Sequence, residues 1–469
     1  MAKRDPQNTI DLYEEDGKYH YSLIKSFSRL CRSQITSRTN GKIHICKRCF
    51  THFSREHLFQ KHIKYCSSNE IVAVKMPPRN TMLCFNNYHK KLPIPFVVYA
   101  DFECFTKPMN TCSPNPEDSY SYNYQKHEPS GFCFYIKGLD GMDTIFEPII
   151  YTKKSVNDDI ASIFVSKLAK ITNRIYNDFY CCPKLLRLTK AEQESFDESK
   201  ICYICNKELL TDKVRDHCHF TSRNPLILPV IFHNLQGYDA HLFIKQLSCL
   251  KGELTCIPST EEKYISFSKK IKVNEYVSKY NGETVSVYFE IRFIDSFKFL
   301  QTGLANLVRN LQPDDFRNTK TIFKDKTDLL IRKGVYPYDY VSSIDIFSET
   351  QLPPKSEFYS KLNDEDITDA DYQHALNVWN TFNFKTMCDY HDLYLKSDAL
   401  LLADVFQNFR KTCLRHYTLD PAHYYTSPGL AWDACLKETA QELELLHDYD
   451  MLMIFERGIR GGITHIAKR

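Results

Sequence analysis

PFVVYADFECF (Pro95–Phe105) decides the fold class. Its first half is a short apolar run, rich in β-branched and aromatic residues and entered from a proline. That pattern predicts a strand buried on both faces. Asp101 and Glu103 follow directly. Residues i and i+2 of an extended chain point to the same side, so two carboxylates are presented together at a strand end. LPVIFH (Leu228–His233) repeats the apolar pattern and leads into Asn234 and Asp239 of NLQGYD. VSVYFEIRFID (Val285–Asp295) alternates more openly and predicts a strand with one wetter face. DALLLADVFQNFRKTCLRH (Asp398–His416) places Leu402, Val405, Phe409 and Cys413 at helical spacing. Tyr394 and Asp398 lie four apart and share a face of the helix entered there. Strand-like and helix-like stretches alternate, so the body is α/β. The acidic stretch 339–371, with its PPK and NDED, reads as a surface excursion.

Three separated segments each deliver an acid to an apolar framework. Clustered carboxylates repel unless cations neutralise them, and a two-magnesium site does this. Taken singly, an acid after a strand is more often a turn residue. The glycine count supports metal chemistry over a phosphate loop. There are 14 glycines in 469 residues, against a usual share of about 7%, and none falls in GxGxxG or GxxxxGK. Phosphates would then be handled by metals and carboxylates.

The order and contexts of these segments resemble the three exonuclease motifs of family B DNA polymerases, on an RNase H-like (DnaQ-like) sheet flanked by helices. The nearest resemblance is to protein-primed polymerases of Polinton/Maverick-type mobile elements and their viral relatives. ADFECF looks like the first motif, FHNLQGYDAHL the second and YLKSD the third. The resemblance implies that Asp101, Glu103, Asp239 and Asp398 ligate two Mg2+ or Mn2+ ions. Tyr394 would orient the attacking water, and Asn234 would contact a DNA strand. FIDSFKFL (Phe293–Leu300) looks like the single-strand-contacting segment, with Ser296 at its polar position. Ile459-Arg460-Gly461-Gly462 looks like the template-contacting turn between exonuclease and polymerase, with Ile where relatives have Tyr. The palm motifs resembling DxxSLYP and DTD do not occur in the chain, so DNA synthesis is not expected of it alone.

Cys46-x2-Cys49-x12-His62-x3-Cys66 has the spacing of a zinc finger. A CxxC knuckle supplies two ligands and an i, i+4 helix face the other two. Phe53 and Phe59 sit where such fingers place their small core. Four protein ligands leave no open position, which makes the site structural; the alternative is a chance set of buried thiols. A second half-site, Cys202-x2-Cys205 followed by Asp216-His217-Cys218-His219, looks like the endonuclease VII-type insert of many relatives. The stretch that should supply its later cysteines is missing. Cys202 and Cys205 with His217 or His219 form a rearranged zinc site or belong to a degenerate insert.

Whole-chain charge is +3, yet residues 1–90 carry +9 and the remainder −6. A basic leading segment is an electrostatic footprint for nucleic acid or a solvated arm. No run approaches the length of a membrane span, and MAKRDPQNTIDLYEED has no apolar core of a secretory leader. The 18 cysteines are therefore expected to be thiols or metal ligands. The expected organisation is a basic arm (1–40), the finger (41–70), a linker (71–92) and an exonuclease domain (93–420) interrupted at about 180–225. A passage toward a polymerase domain (421–469) completes it. The implied partners are DNA with single-stranded 3′ ends, and a polymerase palm or a priming protein. The family implies nuclear or virus-associated residence. Two readings differ from nuclease action at the carboxylates: a catalytically inactive DNA- or protein-binding remnant, and an endonuclease built on the Asp-His element.

Overall fold

A computed structural model describes residues 9–15, 18–24, 26–35, 42–49, 51–69, 76–109, 125–140, 146–181, 190–202, 208–209, 226–260, 263–278, 282–361 and 364–459. The chain divides into two compact units, one formed by residues 1–83 with 443–469 and the other by residues 84–442.

The larger unit is built on a seven-stranded mixed sheet. Its strands in chain order are β1 (Phe96–Pro108), β2 (Gln125–Gly138), β3 (Ile149–Thr152), β4 (Ile227–Phe232), β5 (Leu254–Pro258), β6 (Tyr264–Val277) and β7 (Thr284–Asp295). The spatial order is β5-β6-β7-β4-β1-β2-β3. The β7–β4 and β4–β1 pairs are parallel; the remaining neighbours are antiparallel. Every residue of β4 is buried, as its unbroken apolar run requires for a strand covered on both faces.

Side chains of β1 alternate between two cores. Phe96, Val98, Ala100 and Phe102 pack with helix α1 (Ile160–Ile175) on one face of the sheet. Val97 and Tyr99 pack on the other with the long helix α5 (Met387–Tyr417). That period of two sends Asp101 and Glu103, which continue the odd series, toward α5. Between these elements lie α2 (Asp239–Phe243), α3 (Leu304–Arg309) and α4 (Arg317–Phe323), and α6 (Ser427–Thr439) follows α5. Helix α5 begins with a reciprocal Thr386/Asp389 capping box. Its apolar stripe is the predicted one, with Leu402, Val405 and Cys413 buried. In mid-helix, Asp404 accepts hydrogen bonds from the backbone and side chains of Asn318 and Thr319, fastening the start of α4 to α5.

Three expectations about local structure change. The first strand does not stop before the acids but runs through them to Pro108, with a register shift between Glu103 and Cys104. The long helix starts at Met387, three turns before Asp398. The acidic stretch 339–371 is not simply a surface excursion. Val341, Phe347 and Phe358 are buried there, and Val341 O accepts from Thr106 N of β1. Asp345, Glu357, Asp364, Glu365, Asp366 and Asp369 are exposed, but widely spaced apolar residues anchor the stretch.

In the smaller unit, Thr9–Glu15 and Lys18–Ile24 form an antiparallel hairpin, followed by the helix Phe27–Ile35. A second short hairpin, His44–Ile45 with His52–Phe53, precedes the helix Glu56–Ser68. Met82–Leu83 pairs with Leu443–Glu444, and the helix Tyr449–Gly458 follows. Among the described residues no helix is long and apolar enough to cross a membrane.

Candidate active site

Strand β1 brings Asp101 and Glu103 to the α5 face, and α5 brings Asp398 to meet them. One ligand oxygen from each lies within 4.8 Å of the others. Asp239 opens α2 directly after the turn that follows β4. It lines the same cavity of about 480 Å3 as Asp101 and Glu103, together with Cys104, His127, His233, Asn234, Tyr238 and Lys333. The acids thus come from three elements, as the sequence pattern predicts, although Asp239 stands outside the tight trio.

The carboxylates are held in a poorly solvated, mutually repulsive setting. Burial, and then the Asp398 charge, push Asp101 up to about 7 against the pull of Lys333. Burial and the neighbouring Asp101 and Asp398 push Glu103 well above its ordinary value. Burial and Asp101 do the same to Asp239. One oxygen of Asp239 and one of Asp398 are buried and have no hydrogen-bond partner among the described residues. Converging hard oxygen donors, two of them unpartnered, fit Mg2+ or Mn2+ and do not fit a thiophilic metal.

Lys333 is the residue that sequence reasoning missed. Its Nζ is 3.0 Å from Asp398 Oδ2 and 5.8 Å from the centre of the Tyr394 ring. Burial pulls the ammonium down, but Asp398 and the other anionic neighbours outweigh it and hold it well above its usual value. No periodicity marks Lys333, because it lies in an irregular stretch.

Tyr394 sits one turn before Asp398. Its ring stacks on Tyr336, with centroids 4.7 Å apart and planes 27° apart. Its hydroxyl is 2.5 Å from that of Tyr338. Gly334 makes this packing possible, because a Cβ there would stand 2.8 Å from Tyr394 Cδ2. Behind it, Tyr336 bonds the buried His391 Nδ1 at 2.6 Å.

The turn after β4 is fixed by Asp295, at the end of β7. Its carboxylate accepts from the backbone N–H groups of Asn234 at 2.9 Å, Gln236 at 3.0 Å and Phe297 at 3.0 Å. Asn234 takes a left-handed conformation (φ 70°), and Gly237 leaves room for its side chain, whose Oδ1 would be 2.4 Å from a Cβ at that position. Asn234 therefore faces the cavity from a clamped turn.

Comparison with protein-family models matches residues 220–468, more than half of the chain, to DNA polymerase type B, organellar and viral. The chain belongs to that family. No curated protein matches it. Two solved structures of Phi29 DNA polymerase, one with primer-template DNA and one with single-stranded DNA, are similar at 10% and 13% identity, with TM-scores of 0.27 and 0.28. Each likeness covers 68% of this chain and 32% of the Phi29 chain. The chain therefore spans about a third of the length of those structures.

Within this type B polymerase chain, Asp239, Tyr394 and Asp398 fall inside the matched stretch, and Asp101 and Glu103 precede it. Ser296 does not face the cavity. It is fully buried, donates from its hydroxyl to Phe232 O at 2.9 Å and bonds His233 Nδ1 at 2.9 Å. A hydroxyl committed to two internal bonds fixes His233, which in turn lines the cavity. Arg460, Gly461 and Gly462 lie outside the described residues, as do Cys205, His217 and His219; Cys202 is half-buried.

In the smaller unit, the ligand atoms of Cys46, Cys49, His62 and Cys66 all lie within 4.8 Å of one another. Cys46 Sγ is 3.8 Å from Cys66 Sγ, and Cys49 Sγ is 3.2 Å from His62 Nε2. His62 and Cys66 come from one face of the helix Glu56–Ser68. The Phe53 ring packs on both Phe59 and His62. Although burial pushes the Cys49 thiol up, hydrogen bonds from Thr51 and the neighbouring thiols bring it down to about 6. Three sulfurs and one imidazole suit zinc.

Proposed function

We propose that this chain is the 3′→5′ exonuclease part of a protein-primed type B DNA polymerase, acting on single-stranded DNA 3′ ends with Mg2+ or Mn2+. The observation that carries the reading is the convergence of Asp101, Glu103 and Asp398, with Tyr394 one turn away, beside a cavity large enough for a nucleotide. Asp101, Glu103, Asp398 and Asp239 would hold the metals, which when bound supply Lewis-acid polarisation of the scissile phosphate and an acidified water.

The chain's own groups do the rest. Tyr394, stacked on Tyr336 and bonded through its hydroxyl to Tyr338, which lines the cavity, would help orient water beside Asp398. Asn234, on its clamped turn, offers an amide to the strand. Lys333 keeps one charge of the acid cluster neutralised and is placed to meet a phosphate. The described cysteine–histidine cluster is proposed to hold one structural zinc ion. A mobile-element or viral origin, a priming partner and nuclear or virus-associated residence rest on the family resemblance.

The test is direct. Purified chain with Mg2+ or Mn2+ should shorten 5′-labelled single-stranded DNA from its 3′ end, and Asp101→Ala should abolish this. Equal shortening by the variant would refute the assignment.

A further inference from the structure

His391, Tyr394 and Asp398 stand at positions i, i+3 and i+7 of α5 and so share one face of that helix. His391 is fully buried and does not line the carboxylate cavity. The irregular stretch 331–338 packs against this face. It supplies Lys333 to Asp398 at 3.0 Å and the Tyr338 hydroxyl to that of Tyr394 at 2.5 Å. Between them in sequence, Val335 O accepts from the Tyr390 hydroxyl at 2.5 Å. Tyr336 is held twice by the helix: its ring stacks on Tyr394, with centroids 4.7 Å apart, and its hydroxyl is 2.6 Å from His391 Nδ1. The imidazole itself is wedged in place. The Phe347 ring packs on it with centroids 4.6 Å apart. On the side of β2, a Cβ at Gly131 would stand 3.0 Å from its Nε2. Burial pulls the imidazole down to about 3, so the ring is neutral. With Nδ1 accepting from Tyr336, Nε2 carries the proton.

We infer that His391 is a positioning residue for the exonuclease reaction: by accepting from the Tyr336 hydroxyl it fixes the stretch 331–338 on α5, and with it the placement of Lys333 and Tyr338 against Asp398 and Tyr394. The inference rests on the exonuclease reading and deepens it. A chain segment outside helix and sheet has no ladder of backbone bonds to set its register, so side-chain contacts must set it. Stacking on Tyr394 does this only in part. A stacked ring can slide and turn in its own plane at little cost, whereas a hydrogen bond to its hydroxyl is directional and stops both motions. The bond is also costly to lose, because either buried partner would be left unsatisfied without the other. Lys333 stands three residues before Tyr336 and Tyr338 two residues after it, so a shift at Tyr336 is passed to both.

The experiment measures hydrolysis of a 5′-labelled single-stranded oligonucleotide with Mg2+ by wild type and five variants. Tyr336→Phe and His391→Leu each remove the bond. Either should lower kcat about tenfold, as small misplacements of reacting groups do, with KM unchanged because neither side chain lines the carboxylate cavity. Tyr336→Phe loses one oxygen and keeps its ring, so it carries the test even if His391→Leu does not fold. The double variant Tyr336→Phe/His391→Leu should lose no more than either single one, because both remove the same bond. His391→Asn places an oxygen where the imidazole carries Nδ1 and should recover most of kcat. Phe358→Leu thins the same buried core without touching the bond; it should lower the melting temperature and keep kcat. Four results would each overturn the positioning role and leave the exonuclease reading standing: undiminished kcat in Tyr336→Phe, losses that multiply in the double variant, His391→Asn no faster than His391→Leu, or an equal kcat loss in Phe358→Leu. No hydrolysis by the wild type would overturn the exonuclease reading, and the positioning role with it.

Discussion

Replacing Asp101 by Asn should stabilise the metal-free protein while removing its nuclease activity. In the folded chain, burial and Asp398 raise this carboxyl from 3.8 to about 7. Unfolding releases it to its ordinary value, so the unfolded state binds fewer protons between those limits. The stability it contributes is present below about pH 4 and is lost as pH rises to 7. The shift of about three units, at about 1.4 kcal/mol each, sets an upper bound of about 4 kcal/mol. The side chain is open to the cavity on one side, and water screens the repulsion, so about 2 kcal/mol is expected. Asn is neutral at every pH and avoids this loss. In EDTA at pH 8, Asp101→Asn should melt about 4 °C higher than wild type, and at pH 5 the gain should fall to less than half. Mn2+ should raise the wild-type melting temperature by mass action and leave the variant nearly unmoved. A variant less stable than wild type at pH 8, or a gain equal at both pH values, would refute the electrostatic account of this cluster.

Other residues give sharper local tests. Gly334→Ala places a Cβ 2.8 Å from the Tyr394 ring; overpacking of this kind costs about 1–3 kcal/mol, and exonuclease kcat should fall about tenfold with little change in KM. Asp295→Asn removes charge-assisted bonds to three backbone N–H groups, so thermal stability should drop by about 2 kcal/mol and oligonucleotide KM should rise as the Asn234 turn loosens; a melting curve and initial rates check both. Cys66→Ser should reduce bound zinc, measured by elemental analysis, from one equivalent to about none. The oligonucleotide-shortening rate relative to wild type then reports whether the smaller unit affects the nuclease.

The elements were legible wherever one physical period ran unopposed. The unbroken apolar run of β4 and the helical stripe from Leu402 to Cys413 are written in residue spacing alone. The acids were legible as a set because each stands beside such a run. Their exact backbone was less so. Phe102, Cys104 and Phe105 are themselves apolar enough to extend β1, and reading the acids as a strand end overlooked this. Lys333, Tyr338 and Asp295 were invisible for another reason. Each acts through tertiary contacts across 60 residues or so of chain, as in the 3.0 Å ion pair from Lys333 to Asp398, and no local pattern encodes such a pair. Ser296 illustrates the converse: a serine in a recognisable segment suggested an outward contact, whereas the neighbouring His233 and Phe232 carbonyl claim its hydroxyl.

The connection between α1 and β4 carries a different lesson. Helix α1 ends at Ile175, and the next strand of the sheet begins only at Ile227. Closing so long a connection instead of a tight one costs on the order of 2 kcal/mol, because the entropy grows only with the logarithm of length. Asp101 and Glu103 on β1 and Asp398 on α5 lie outside that connection, and Asp239 follows the far end of β4, the strand the connection enters. Lengthening or shortening the chain at this position therefore changes the closure cost by only about 0.6 kcal/mol for each doubling of length, so the sheet can carry an extra module there at little cost in stability.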